Sequence, residues 1–235
     1  MSDGILEQLQ QADSEVQTTW IITDTLLQTL PPALRTATLA AAVPHWFNAT
    51  VLAALLQLET DQAVDLEQEI QALAFSEPFG TLGYALHDLT RRAILYHLTT
   101  SYPELFQSYS QRAYNYFSTM EDDQHQVEAI YHLLADDQTA GIDAFKERMR
   151  NYRRQNKFSA ANNLIRNAEE LDELNLLSNK SVAEIERQNY LMGWKYVQLG
   201  KKERIADKAY EHLSQAINIF NPAEDVEPYQ HFDPE

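Results

Sequence analysis

Residues 75–95 read F-S-E-P-F-G-T-L-G-Y-A-L-H-D-L-T-R-R-A-I-L. Phe79 and Tyr84 flank Gly80-Thr81-Leu82-Gly83, a four-residue connection whose two glycines can take positive φ. Asp88 follows where its carboxylate can accept hydrogen bonds from the unpaired first-turn amides of a helix starting there. The order expected is strand, turn, strand, helix.

Upstream, Pro32 sits where a first-turn proline sacrifices no hydrogen bond, which predicts a helix over residues 32–43. Asn48 is placed to cap a second over 49–57, and a third is expected over 61–74. Three short helices and a hairpin make a winged helix. The residues Leu30-Pro31-Pro32-Ala33-Leu34-Arg35, Ala40-Ala41-Ala42-Val43-Pro44 before Trp46-Phe47, and Tyr84-Ala85-Leu86-His87-Asp88-Leu89 resemble the winged-helix segment of STAND NTPases, the NB-ARC, MalT and NACHT-like signalling ATPases. The last of these runs is similar to the family's M-H-D motif, with Leu86 in the methionine's place. The resemblance covers roughly residues 26–134 and implies that His87 faces a nucleotide. No G-x-x-x-x-G-K-S/T occurs, however, and glycine stands only at positions 4, 80, 83, 141, 193 and 200, so no phosphate-cradling loop can be drawn. Without the ATPase core, the expectation is that His87 and Asp88 are structural residues at the start of a helix, and that no cofactor is held.

Charge separates the functional classes. The 235-residue chain has a formal net charge of −17, and residues 1–80 hold eleven acids against the single base Arg35. The helix that a winged helix would lay in a DNA groove, residues 61–74, carries Asp61, Asp65, Glu67 and Glu69 and no base, so it repels phosphate. A nucleic-acid regulator would have to work through Arg91, Arg92 and the one basic island, residues 146–157, which holds Lys146, Arg148, Arg150, Arg153, Arg154 and Lys157. Those bases spread around a helix. They are read either as counter-charge docking on the acidic residues 121–137 or on the acidic N-terminal helices, or as a site for an acidic peptide or RNA backbone.

From about Gln124 onward, apolar residues recur at three- and four-residue spacing, predicting helices over 125–135, 139–155, 159–177, 182–199 and 203–220. Ser101-x-x-Glu104 and Ser181-x-x-Glu184 read as capping boxes. The series Gly193, Tyr196, Gly200, Ala209, Leu213 and Ala216, with Pro222 after it, resembles a degenerate tetratricopeptide (TPR) repeat, and Tyr152, Phe158, Ala161, Ile165 and Ala168 form a weaker match. The Ala161 to Ala209 offset of 48 residues departs from the repeat's period of about 34, so the expectation is a TPR-like layer of antiparallel helix pairs and not a regular solenoid. Such layers hold peptides on a concave face. Tyr190 and Trp194 share a stripe with Val197 and are candidates both for core and for partner contact.

His125, Glu128 and His132 fall on one helical face, a spacing able to hold zinc or iron if a fourth ligand comes from elsewhere. The same segment is similar to the structural helix after the winged helix in the STAND family. No H-E-x-x-H, no G-x-S-x-G and no cysteine is present.

The sequence thus predicts a mainly α protein: an acidic N-terminal arm (1–19), a winged-helix domain (20–120), a TPR-like helical domain (121–220) and an acidic C-terminal tail (221–235) in which three prolines accompany five acids. No apolar run suits a membrane span, and a cytoplasmic location is expected. The expected function is non-enzymatic: binding of another protein, such as an ATPase or signalling partner, with Arg148, Arg150, Arg153, Arg154, Lys157, Tyr190 and Trp194 as contact candidates.

Overall fold

The computed structural model describes residues 14–177, together with Gln10, Ala12 and Gln215. The protein is mainly helical, with nine helices and one two-stranded antiparallel hairpin among these residues. None of those helices is long and apolar enough to cross a membrane. The expectations for residues 178–214 and 216–235, including the Ser181 capping box, Tyr190 and Trp194, lie outside the described residues.

Helix α1 (Glu15–Leu27) starts at Ser14, whose side chain accepts from the Gln17 amide. The helix thus runs across position 19, where an arm was expected to give way to a domain. Its last carbonyls are satisfied by Arg35, which donates to the Leu27 and Gln28 oxygens at 2.9 and 3.0 Å. Helix α2 (Pro32–Ala41) opens on Pro32, and α3 (Ala49–Leu56) on Asn48, whose side chain accepts from the Val51 amide at 3.0 Å. Helix α4 (Thr60–Gln71) sends Glu67 back to accept from the Ala49 amide at 3.0 Å, so one of the acids expected to face a groove is engaged in the fold.

Strands β1 (Ser76–Phe79) and β2 (Gly83–Leu86) pair in the register Phe79 with Gly83, leaving a three-residue connection where the sequence suggested four. Tyr84 also bridges Phe47 through two hydrogen bonds of 2.7 and 2.8 Å, which anchors the hairpin to the segment before α3. Helix α5 (Asp88–Ser101) begins at Asp88, with His87 in the cap position and no side-chain capping bond; Asp88 therefore complements the helix dipole as a first-turn acid instead of capping. The Ser101 capping box is likewise replaced. Ser101 is the last residue of α5, Tyr102 stands at the junction, and Pro103 opens α6 (Pro103–Phe117) in the first-turn position that tolerates it.

Helices α7 (Asp123–Asp136), α8 (Gln138–Arg154) and α9 (Phe158–Glu173) follow, with Asp122 and Asp137 capping the first two. One apolar core joins α2 to α6, including Trp46, Phe47, Leu52, Ile94 and Phe117; a second joins α7 to α9 around Tyr131, Phe145, Met149, Tyr152 and Leu164. Ala129 belongs to the first core and Val127, Ile130 and Tyr131 to the second, so α7 is shared by both lobes. Ala161, Ile165 and Ala168 are all buried in the second core, as their small or apolar side chains at helical spacing require.

Candidate functional site

Between the lobes lies a cluster of buried charge that the apolar pattern does not reveal. Arg91 of α5 is 4% exposed. Its guanidinium donates to both oxygens of Glu170 on α9, at 2.9 and 2.8 Å, and to the Pro44 and Val43 carbonyls at 3.1 and 3.3 Å. The Tyr131 hydroxyl of α7 donates to Glu170 Oε1 at 2.8 Å. His45, in the link between α2 and α3, places Nδ1 2.9 Å from Glu128 Oε2 and Nε2 3.3 Å from Glu170 Oε2, while its backbone N–H donates to Glu128 Oε1 at 2.8 Å. Two cations and two carboxylates are thereby balanced in one buried network contributed by both lobes.

The electrostatics follow from that balance. Burial pulls the His45 imidazolium down, but the Glu128 charge and the hydrogen bonds the ring donates to Glu128 and Glu170 outweigh it and raise the pKa from 6.5 to about 9. Burial alone would raise Glu128 and Glu170; His45 and His132 for the first, and Arg91 and His45 for the second, hold both well below the usual carboxylate range. Burial lowers His132, whose Nε2 lies 3.4 Å from Glu128 Oε1. With both nitrogens facing carboxylates, His45 is a fixed cation near neutrality, not a general base.

A pH dependence follows. His45 contributes stability that is fully present below pH 6.5 and is lost as pH rises through about 9, because its folded value lies above its unfolded one. The whole interval is worth at most about 3 kcal/mol, and less in practice because the ring is 23% exposed. Urea unfolding between pH 6.5 and 9.5 should show this decline, and His45→Asn should flatten it. A decline unchanged by the substitution would assign the effect to another group. On the acid side, Glu128 and Glu170 contribute stability that is fully present above the ordinary carboxylate range and is lost progressively as pH falls from that range toward their depressed values.

Above this network the hairpin and α9 enclose an open cleft of about 990 Å³. Its hairpin wall is mainly apolar, formed by Phe79, Leu82, Ala85 and Leu86 with the carboxylate of Glu77 beside them. Its α9 wall is polar: Lys157, Ser159, Asn163, Arg166 and Asn167 line it, and no acid occurs from Asn156 to Asn167. Among the described residues, the side chains of Ser159, Asn163, Arg166 and Asn167 make no hydrogen bond or ion pair. Of the cleft's carboxylates, Glu170 pairs with Arg91, Glu128 with His45, Glu173 with Arg92 and Asp123 with Lys157 at 2.9 Å, while Glu77, Asp88 and Glu169 line it as well. Ser159, Asn163, Arg166 and Asn167 thus form a run of uncommitted polar groups along the α9 wall.

The structure distributes the residues singled out by sequence as follows. His87 is 48% exposed and 3.9 Å from Glu77, and Asp88 lines the cleft beside it. Arg91 is buried and engaged, which removes it from any nucleic-acid surface; only Arg92 of that pair reaches solvent, and it is paired with Glu173. In the basic island, Phe145, Met149 and Tyr152 form the buried face of α8. Arg148 stacks over Tyr152 at 5.8 Å and donates to Gln126, Arg150 and Arg154 are exposed, Arg153 is half-buried, and Lys157 faces the cleft. His125 pairs with Asp122 at 2.6 Å while Glu128 turns to His45, and no group of three His, Cys, Asp or Glu suited to a metal ion is found among the described residues. His45, Tyr131 and Glu170 were not singled out by sequence. The available signal was the buried phase of the helices: Tyr131 sits four residues after Val127, with Arg91 and Glu170 as charges on otherwise apolar phases of their helices.

No protein-family model, curated protein or solved structure matches this chain.

Proposed function

We propose that the protein is a non-enzymatic regulatory module that binds another protein through the cleft between the hairpin and α9. The observation that carries this reading is the pairing of a mainly apolar hairpin wall with a polar wall of uncommitted Ser159, Asn163, Arg166 and Asn167 side chains. An apolar wall anchors side chains while an amide and guanidinium wall pairs with a peptide's polar groups, the division of labour by which grooves hold polypeptide segments. A winged helix followed by TPR-like helices is the architecture this reading invokes. It is supported by the order of three helices, hairpin and helix, by the Phe47–Tyr84 bridge beside the hairpin, and by the buried small residues of α9. The partner is then another polypeptide, such as the ATPase or signalling component that STAND-like regulation requires.

The test is photo-crosslinking of the intact chain in the cells that make it. With p-benzoylphenylalanine at Leu82 or at Asn163, one on each wall, both positions are expected to capture the same discrete protein, and Phe79→Asp is expected to reduce capture at Asn163 about tenfold, the loss of one apolar anchor. Adducts to nucleic acid, or none from either position, would overturn the reading.

A further inference from the structure

Resting on the cleft as a polypeptide-binding site, we infer that the partner segment it takes is extended and carries a Lys or Arg two residues from an aromatic or aliphatic side chain. The base is seated at Glu77 and Asp88, the apolar group on Phe79 and Leu82. The spacing comes from the hairpin. Alternate side chains of a strand share a face, so Glu77 and Phe79 project together from β1, about 7 Å apart. Their cross-strand partners are Ala85 and Gly83, too small to cover either of them. Phe79 is accordingly 40% exposed and the Glu77 side chain 59%, and both line the cleft. An extended segment has the same repeat, so a base opposite Glu77 sets its second neighbour opposite Phe79.

Charge selects a base. Among the described residues, seven carboxylates line the cleft against five basic side chains, His45 included. Four of those carboxylates are held by Arg91, His45, Arg92 and Lys157, which leaves Arg166 as a cation without an ion pair. At the hairpin wall Asp88 has no ion pair or side-chain hydrogen bond among the described residues, and Glu77 has only His87 at 3.9 Å. Arg92, one turn on from Asp88, is taken by Glu173. A basic side chain is therefore drawn to the hairpin and turned away from α9, where Arg166 is left to donate to main-chain carbonyls and Asn163 and Asn167 to meet main-chain groups of either kind. The net charge of −17 attracts basic segments and repels acidic ones at longer range.

Strand addition is closed to such a segment. Tyr84 directs its N–H and C=O to Phe47, which covers the outer edge of β2, and its partner across the hairpin is Pro78, with no N–H to offer at the outer edge of β1. The Ser76 N–H already donates to the Leu73 carbonyl. Recognition falls to side chains, which makes the distance between base and apolar group selective.

The experiment selects a random dodecapeptide library, displayed on phage, against the intact chain. Enriched sequences are expected to hold Lys or Arg two residues from an aromatic or aliphatic residue. A fluorescein-labelled synthetic copy of the most enriched sequence, followed by anisotropy, is expected to bind about tenfold more weakly when Glu77→Gln and Asp88→Asn are combined, and again about tenfold more weakly to Phe79→Ser. Selection repeated on the chain with Glu77→Lys and Asp88→Lys is expected to put Asp or Glu in the place of the base, at the same distance from the apolar residue. That reversal tells a seat from general attraction to an anionic protein, because the variant's net charge stays negative. Circular dichroism checks that these exposed substitutions leave the helices intact. No enrichment over the bare support, enrichment of acidic sequences, absence of a fixed spacing, or the same motif after charge reversal overturns the inference. So does a dimer in sedimentation that the selected peptide splits, since the occupant would then be a second copy. If Leu82 and Asn163 still crosslink one protein while selection yields no base, the cleft remains an interface and only the chemistry of its ligand is wrong; if both fail, the cleft is not an interface.

Discussion

Arg91→Ala is expected to destabilise the protein by about 3–5 kcal/mol, a loss of roughly 10 °C or more in Tm for a chain of this size. The reason lies in what the substitution leaves behind. Glu170 loses a bidentate partner at 2.9 and 2.8 Å, and the Val43 and Pro44 carbonyls lose their donors where water cannot easily replace them. Tyr131 and His45 still face Glu170, so the carboxylate is not wholly orphaned, which keeps the figure from rising further. Replacing both members, Arg91→Leu with Glu170→Leu, should cost distinctly less than the two single changes added together, because no charge is stranded. Urea unfolding of the four proteins closes the cycle. A single-mutant loss within about 1 kcal/mol would mean that water already reaches this pair and that the lobes are held by their apolar contacts alone. Because α5 belongs to one lobe and α9 to the other, the same substitution is also expected to loosen the cleft, lowering capture from Asn163 more than the exposed substitution Arg150→Ala does.

How far such features could be foreseen depends on how local their causes are. Asn48 and Pro32 were legible because a cap and a first-turn proline act within a few residues, and both open helices where expected. The hairpin was legible because Gly80 and Gly83 bracket a short connection, and both have positive φ. Asp88 and Ser101 show the limit of the same reasoning. Each fits a capping pattern, but the helix starts one position earlier than the Asp88 pattern needs, and Pro103 fixes the α5–α6 junction so that Ser101 stays inside α5. The charge network was not legible at all: Arg91 and Glu170 are 79 residues apart and His45 and Glu128 are 83 apart, and nothing in a local pattern tells an exposed arginine from one awaiting so distant a carboxylate. The basic island was half legible. Its bases are plain in the sequence, but the burial of Phe145, Met149 and Tyr152 decides which of them face outward, and the uncommitted cation of the cleft is Arg166, nine residues beyond the island. The cleft itself arises from residues 79–86 meeting residues 156–167, a proximity set by tertiary packing.

Gly83→Ala is expected to destabilise the fold by about 4 kcal/mol, against about 1 kcal/mol for Gly80→Ala, although the two glycines flank the same turn. Gly80 sits at φ +55 with nothing within 4 Å of an added Cβ, so only the left-handed conformation is penalised. Gly83 sits at φ +138, and a Cβ there would lie 2.2 Å from the Phe47 carbonyl oxygen and 3.0 Å from Asn48 Cβ. Neither neighbour can give way without loss: the Phe47 carbonyl accepts from Tyr84 at 2.8 Å, and Asn48 both caps α3 and donates to the Leu82 carbonyl at 2.9 Å. Relief of the overlap therefore detaches the hairpin from the start of α3, and with it the Phe79 and Leu82 wall of the cleft. Amide exchange should report this as faster exchange at Phe47, Tyr84 and Val51 in Gly83→Ala and not in Gly80→Ala, alongside the difference in unfolding free energy. Equal, mild effects of the two substitutions would mean that the hairpin hangs from the body only by its ends, and a wall so loosely held could not select an aromatic anchor.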